Sequence, residues 1–415
     1  MAGVIEFLES LLNLRLGDYL RETWAASMPA GLIEVIIDLV GVVTVATFCL
    51  LIVLLLIWLE RKVVARIQDR IGPNRVGGRY GLLQSLADAL KLLTKEDITP
   101  SGADKLAFNV APIAIVIFAL LLWAVVPFAP GFSGTDLNIG LFYILAISSA
   151  SVVAILLAGW GSNNKYALLG AFRAVAQLVS YEVPLVMALL IPIILASSMS
   201  LAGIIEAQSI WFVFVAPLSA LIFMIGALAE LGRTPFDLLE AESEIVAGYH
   251  TEYSGMKFAM FFLAEFMNSL FMSALFAIVY LGGWRGPAAE QVPLLGLVYF
   301  LLKTFFVYML VIWIRGTFPR VRIDQLLNFN WKFLVPLTLL LILLVAVVEK
   351  LLPAGVSPLL RAGVHAASQI FLAWAALAFA RRYARRQRLM GESPLPDAAA
   401  AISAADDEQA LATAH

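Results

Sequence analysis

Apolar residues fall along this chain in runs of about 20, the length that crosses the hydrocarbon core of a bilayer. Such runs cover 35–59, 107–128, 139–160, 183–201, 211–230, 258–281, 294–314 and 332–351. A ninth, weaker run covers 358–380, where Arg361 and His365 interrupt it. Trp58, Trp123, Trp160, Trp211, Trp313 and Trp331 stand near run ends, the depth that amphipathic rings favour. The pattern predicts an all-α, polytopic helical membrane protein with an eight-span core. The ninth run is a further span, with a surface helix as its alternative. Between the first two runs, Leu82, Leu83, Leu86, Leu90 and Leu93 recur at helical spacing, which predicts an amphipathic helix lying along the membrane surface.

Lys and Arg set the orientation. The segment after the first run holds Arg61, Lys62, Arg66, Arg70, Arg75, Arg79, Lys91, Lys95 and Lys105. Alternate loops add Lys165 and Arg173, then Arg233, then Arg315, Arg320 and Arg322, whereas the opposite loops carry only Arg285. Basic loops stay inside, so the charged side is expected to face the cytoplasm of a plasma or inner membrane and the N-terminus to face out. A ninth span then returns Arg381, Arg382, Arg385, Arg386 and Arg388 to the cytoplasm. The expected organisation is an interfacial segment at 1–34, the membrane core at 35–352, the ninth span with its basic end at 353–390, and a disordered tail at 391–415. Glu6 and Glu9 stand where a secretory signal would be basic, and residues 1–24 suit a short interfacial helix or a mobile end.

Composition agrees with lipid as solvent: 61% of the 415 residues are hydrophobic and 14% charged, against about 25% charged in soluble domains. The lone Cys49 excludes internal disulfides and thiolate-held clusters. His250, His365 and His415 lack paired spacing, which argues against zinc or haem. Gly72 and Gly77 have the separation of a phosphate-cradling loop, but Gly78-Arg79 follows instead of Lys and Ser/Thr, and no strand precedes. The basic turn around Gly72-Pro73 therefore suits lipid headgroups or a partner surface.

Six carboxylates, Glu230, Asp237, Glu240, Glu242, Glu244 and Glu252, lie in a stretch whose one fixed cation is Arg233. If 237–246 is helical, Asp237, Glu240 and Glu244 share a face and repel. Either the run is a solvated surface, or it is buried and must find partners or take up protons. Pro235-Phe236 and Ile245-Val246-Ala247-Gly248-Tyr249 favour burial. Further ionisable groups stand in apolar runs: Asp38, Glu182, Glu265 and Lys303. Each costs about 2.5–3.5 kcal/mol to insert, so an ion or proton pathway is the default reading and structural pairing its rival. Asp38 can reach the interface, and Lys303 is read equally as a pairing partner for a carboxylate or as a transport residue.

These segments resemble a known family, the membrane-arm component of bacterial respiratory complex I whose mitochondrial counterpart is called subunit 1. The likeness runs through Glu60-Arg61-Lys62, Gly72-Pro73-Asn74-Arg75-Val76-Gly77, Ser180-Tyr181-Glu182-Val183-Pro184, Arg233-Thr234-Pro235-Phe236-Asp237, Glu252-Tyr253-Ser254-Gly255 and Arg315-Gly316-Thr317-Phe318-Pro319-Arg320-Val321-Arg322. It spans roughly 35–350. The resemblance implies a membrane core carrying the mouth and chamber for quinone, the substrate. It implies proton-pathway carboxylates at Glu60, Glu182, Glu230, Asp237, Glu240, Glu242, Glu244, Glu252 and Glu265. Quinone or redox-arm contacts would fall on Arg61, Arg70, Arg233, Phe236, Arg320 and Arg322. Flavin and iron–sulfur clusters would sit in partner subunits: a soluble redox arm, small membrane subunits and antiporter-like subunits. No nucleic acid is implied. A membrane subunit of an energy-converting hydrogenase would share most of these motifs; an ion transporter is a more distant alternative. Gly232 stands where relatives often carry a polar residue, which would loosen a turn, and the tail beyond 353 exceeds the family core.

Overall fold

A computed structural model describes Arg21 and residues 29–238, 247–353 and 357–391. The segment expected to form a helix within 1–24 lies outside these residues apart from Arg21. So do most of 237–246, with Glu240, Glu242 and Glu244, and the tail beyond 391. The helices are α1 Ala30–Ile67, α2 Gln84–Thr94, α3 Lys105–Trp123, α4 Gly140–Gly161, α5 Lys165–Ala196, α6 Leu201–Ala207, α7 Phe212–Val215, α8 Pro217–Glu230, α9 Gly255–Leu281, α10 Pro293–Thr317, α11 Ile323–Phe329, α12 Val335–Leu351 and α13 Pro358–Gly391. A two-stranded hairpin, Pro127–Ala129 with Phe132–Ser133, follows α3. Eight helices among the described residues are long and apolar enough to cross a membrane, the π-turn Asn330–Leu334 joining α11 to α12 in one of them, and α8 is a shorter apolar ninth. The chain is a polytopic helical membrane protein.

Helices outrun the apolar windows at the charged end. The 38 residues of α1 extend roughly 57 Å at about 1.5 Å each, well past a hydrocarbon core of about 30 Å. Glu60, Arg61 and Lys62 are therefore helical, not loop residues. Likewise α5 begins at Lys165, so Lys165, Arg173 and Glu182 belong to one helix of 32 residues, where a loop and a span mouth were expected. Hydropathy reports where lipid is, whereas the backbone ladder continues wherever a cap allows. Here the caps are Asp104, which accepts from Leu106 N at 3.0 Å, and Asn164, which accepts from Tyr166 N at 2.9 Å. Helices α4 and α5 pack so closely that a Cβ on Gly159 would lie 2.4 Å from that of Ala171, a contact only glycine permits.

Three prolines sit inside helices, at 112, 184 and 192. Each lacks the N–H that would bond the carbonyl four residues earlier, which leaves Phe108, Ser180 and Ala188 without a helical donor in a low-dielectric interior. Other helices supply the donors. Tyr253 Oη donates to Phe108 O at 3.2 Å, and Asn330 Nδ2 to Ser180 O at 2.6 Å. Ser219 Oγ and Tyr280 Oη reach Ala188 O at 2.9 and 3.3 Å. Asn330 comes from the π-turn that opens the last core span. These polar residues hold the bundle together at the points where proline breaks its ladders.

At the opposite end, Lys303 donates to the carbonyls of Gly283 and Arg285 at 2.9 and 2.8 Å and lies over the Trp211 ring. Arg285 in turn donates to Glu206 O and Gln208 O, at 3.1 and 2.6 Å. Lys303 thus serves carbonyls that follow the C-terminus of α9, a backbone role that neither sequence reading of this lysine contained.

The chain divides into two compact units, Met1–Ala366 and Ala367–His415. In the first, Glu349 pairs with Arg361 and with the buried His365, whose Nε2 lies 2.9 Å away. One acid therefore satisfies both polar residues that interrupt the ninth apolar run. In the second, α13 continues with Phe371 and Trp374 stacked at 6.3 Å and largely exposed.

Candidate functional site

The turn after α8 carries Arg233 back into the bundle. Gly232 adopts φ 61°, the left-handed conformation that glycine takes without strain, so the turn requires it and is not loosened by it. Gln177 of α5 fixes the turn from both sides, donating to Ala229 O at 2.6 Å and Phe236 O at 2.8 Å. The Arg233 side chain, 3% exposed, donates to Glu60 at 2.7 Å and lies 2.9 Å from Glu265, with its guanidinium over the Phe266 ring. Glu60 also pairs with Arg315 at the end of α10 and accepts from Tyr308 Oη at 3.4 Å. Two cations and two anions from four segments thus form one network. Burying any member alone would cost several kcal/mol, so the opposite charges balance only when all four segments are in place.

Past Glu265 lies a cavity whose largely apolar lining includes the polar groups of Glu182, Glu230, Glu265, Asn268, Ser148 and Tyr249. Its free space for water centres is about 80 Å³, which at roughly 10–15 Å³ each accommodates several waters. Ser148 Oγ donates to Glu230, and Ser149 Oγ contacts Glu182. Glu230 Oε2 and Asn268 Oδ1 are buried and have no protein hydrogen-bond partner among the described residues. The result is a line of carboxylates from Glu60 through Glu265 to Glu230 and Glu182, with Arg315 at its head, Arg233 between Glu60 and Glu265, and a cavity of mixed polar and apolar lining at its tail.

The remaining candidates are placed apart from this line. Glu252 accepts from Asn164 Nδ2 at 2.6 Å and borders a separate open pocket with Lys165. Asp237 is half-buried beyond the Arg233 turn. Phe236 is buried and packs on Tyr181 with ring centroids 5.5 Å apart. Arg61 bonds Asp88 of the surface helix α2 at 2.5 Å, and Arg70, exposed, bonds Gln68 at 2.7 Å. Arg320 and Arg322 are exposed on the segment before α11. Arg233 was the sole fixed cation of its acidic stretch in sequence, yet its partners come from distant helices.

Beside the site, burial pushes the His250 imidazole down to about 4 and the Tyr253 phenol above its usual range. His250 is wedged against Tyr249 and Phe258. Sequence reasoning missed Arg315 and Tyr308 as partners of Glu60, and it missed Ser148, Ser149 and Asn268. The serines had a signal: Ser148-Ser149-Ala150-Ser151 is a polar cluster inside an otherwise apolar run.

A buried arginine–carboxylate network beside a cavity within a helical bundle defines a membrane protein with ionisable groups in its interior. The comparisons with known proteins are specific. The NADH dehydrogenase family model matches residues 40–346, and this chain belongs to that family. It is 51% identical over 301 residues to the H subunit of NADH-quinone oxidoreductase from Dehalococcoides mccartyi strain CBDB1, covering 72% of this chain and 84% of the relative. It is 53% identical over 291 residues to the protein of the same name from Geobacillus kaustophilus, covering 70% of this chain and 87% of the relative. Its likeness to that of Bacillus mycoides is 49% over 293 residues, with 70% and 88% covered.

Proposed function

We propose that this chain is the component of a proton-translocating NADH–quinone oxidoreductase that forms the quinone mouth and chamber and couples quinone reduction to proton movement through its carboxylate line. The family membership and the name shared by its relatives support the first half. The second half rests on one observation, the continuous arrangement Arg315–Glu60–Arg233–Glu265 that ends in the cavity bordered by Glu230 and Glu182. The chain holds no cysteine or histidine set for a cluster or haem, so electrons reach quinone from flavin and iron–sulfur centres in partner subunits. Those partners are a soluble redox arm at the charged end and small and antiporter-like subunits within the bilayer. The charged end faces the cytoplasm of the cell membrane and the N-terminus faces out.

Quinone arrives from lipid beside α1, α2 and α9, where α2 exposes Leu86, Leu90 and Leu93 and is tied to α1 through Arg61–Asp88. Reduction consumes protons and leaves negative charge near the Arg233–Asp237 turn and the acidic stretch that follows it. A unit charge about 8 Å away, at an effective dielectric of about 20, is worth about 2 kcal/mol, enough to redistribute protons among neighbouring acids. Arg233 bridges the turn to Glu60 and Glu265, and the cavity carries the change on to Glu230 and Glu182. The functional boundaries follow the same logic: 35–352 holds the coupling core, and 353–390 is an added span outside it.

In the assembled complex, Glu230→Gln should abolish proton pumping and lower quinone reductase activity about tenfold while assembly is retained. Full pumping by that variant would remove Glu230 from the path. Co-purification of hydrogenase activity in place of quinone reductase would favour the hydrogenase reading.

A further inference from the structure

The cavity carboxylates are met by two adjacent serines of one helix, and their hydrogen bonds differ in kind. Ser148 Oγ has one acceptor among the described residues, a Glu230 carboxyl oxygen. Ser149 Oγ touches two oxygens: Leu145 O at 2.9 Å, one turn back along α4, and Glu182 Oε1. A hydroxyl has one proton to donate and two lone pairs with which to accept, while a backbone carbonyl only accepts. Both Ser149 contacts are satisfied together in one protonation pattern alone. The serine proton goes to Leu145 O, and Glu182, protonated, donates its own to Ser149 Oγ. When Glu182 is ionised, the serine proton turns to the carboxylate and Leu145 O keeps its helical N–H partner. Serine in a helix back-bonds the carbonyl one turn earlier at little cost, so the turn is available without backbone movement.

We infer that Ser149 is a positioning residue that holds Glu182 in the same place in both of its protonation states by reversing the direction of one hydrogen bond. The contact between Ser149 Oγ and Glu182 never breaks: a proton gained by Glu182 stays on its carboxyl oxygen, and the hydroxyl only rotates. Ser148 plays the simpler part, a donor to Glu230. The charged and titratable groups facing this region are Glu182 of α5, Glu230 of α8, Glu265 of α9 with its partner Arg233, and Tyr249. Ser148 lines the cavity beside Glu230, and Ser149, exposed at the next position of α4, meets Glu182. This inference rests on the reading that Glu182 carries protons.

The test uses the whole complex in native membranes with Ser149→Ala, Ser149→Thr and Ser149→Cys, beside Glu182→Gln. Quinone-reductase-driven pumping and its solvent isotope effect are measured, together with the infrared carbonyl band that vanishes in Glu182→Gln. Losing a hydrogen bond to an ionisable partner predicts about a tenfold fall in pumping for Ser149→Ala and a shifted carboxyl band. Ser149→Thr, which keeps the hydroxyl and the back-bond, should recover pumping to within about twofold. Should Ser149→Ala not assemble, Ser149→Cys keeps the shape with a weak donor, and its pumping should fall with the same band shift. Wild-type pumping and an unmoved band in Ser149→Ala or Ser149→Cys, while Glu182→Gln is inactive, would overturn the role of Ser149 and leave the pathway intact. Full pumping by Glu182→Gln would overturn the pathway itself.

Discussion

Asn330→Leu isolates what holds a proline-broken helix two residues from Glu182. The replacement is close in shape and removes one hydrogen bond, Asn330 Nδ2 to Ser180 O at 2.6 Å. Pro184 has no N–H to offer in its place, so Ser180 O is left buried without a donor, which costs about 1–3 kcal/mol. An opposing contribution comes from Asn330 Oδ1, which is buried without a hydrogen-bond partner among the described residues, so its removal relieves a penalty. The net expectation is about 1.4 kcal/mol, a tenfold change. The assay is the half-life of quinone reductase activity of the detergent-purified complex at elevated temperature, a kinetic measure suited to a large assembly. Pro184→Ala makes the experiment decisive, because it restores the missing N–H and gives Ser180 O an ordinary helical partner. Asn330→Leu should shorten the half-life about tenfold in the natural background. With Pro184→Ala present it should be neutral or lengthen it, since the cycle isolates the pairwise contribution. Equal shortening in both backgrounds would show that Asn330 acts through packing and that the proline account is wrong.

Two further expectations concern groups outside the proposed proton path. His250 is buried and protonates only near pH 4, while an unfolded imidazole protonates near 6.5, so the unfolded state binds more protons between these values. Its stabilising contribution is complete above about pH 6.5 and is lost as pH falls toward 4, about 3 kcal/mol at about 1.36 kcal/mol per pKa unit; heat inactivation should steepen across that window, and His250→Phe should flatten it. Lys303→Met strips the donor from Gly283 O and Arg285 O and should shorten the thermal half-life severalfold while protons pumped per electron pair stay constant. A lower stoichiometry with a normal half-life would instead place Lys303 in transport.

Hydropathy alone determined where the long apolar helices lie and that 84–94 forms an amphipathic helix. Each of these follows from local transfer energies, which sum along the chain without reference to its neighbours. Motif order pointed to the family for a similar reason, since short charged segments keep their spacing whatever the packing.

Pairing was another matter. Arg233 lies 173 positions from Glu60 in the chain, and Glu60 lies 248 from Tyr308, so no local pattern links them. Arg233 read as the lone cation of an acidic loop because sequence shows only its neighbours; the bundle gives it Glu60 and Glu265. Lys303 read as a transport or pairing residue because an apolar run makes any charge look functional, while the orphan carbonyls it serves exist only once α9 has ended beside it. The three helical prolines were visible from the start, but which side chains cap the carbonyls they free was decided by which helices pack there. Burial energies are written in the sequence residue by residue; hydrogen-bond partners across a bundle depend on coordinates that only the assembled tertiary structure supplies.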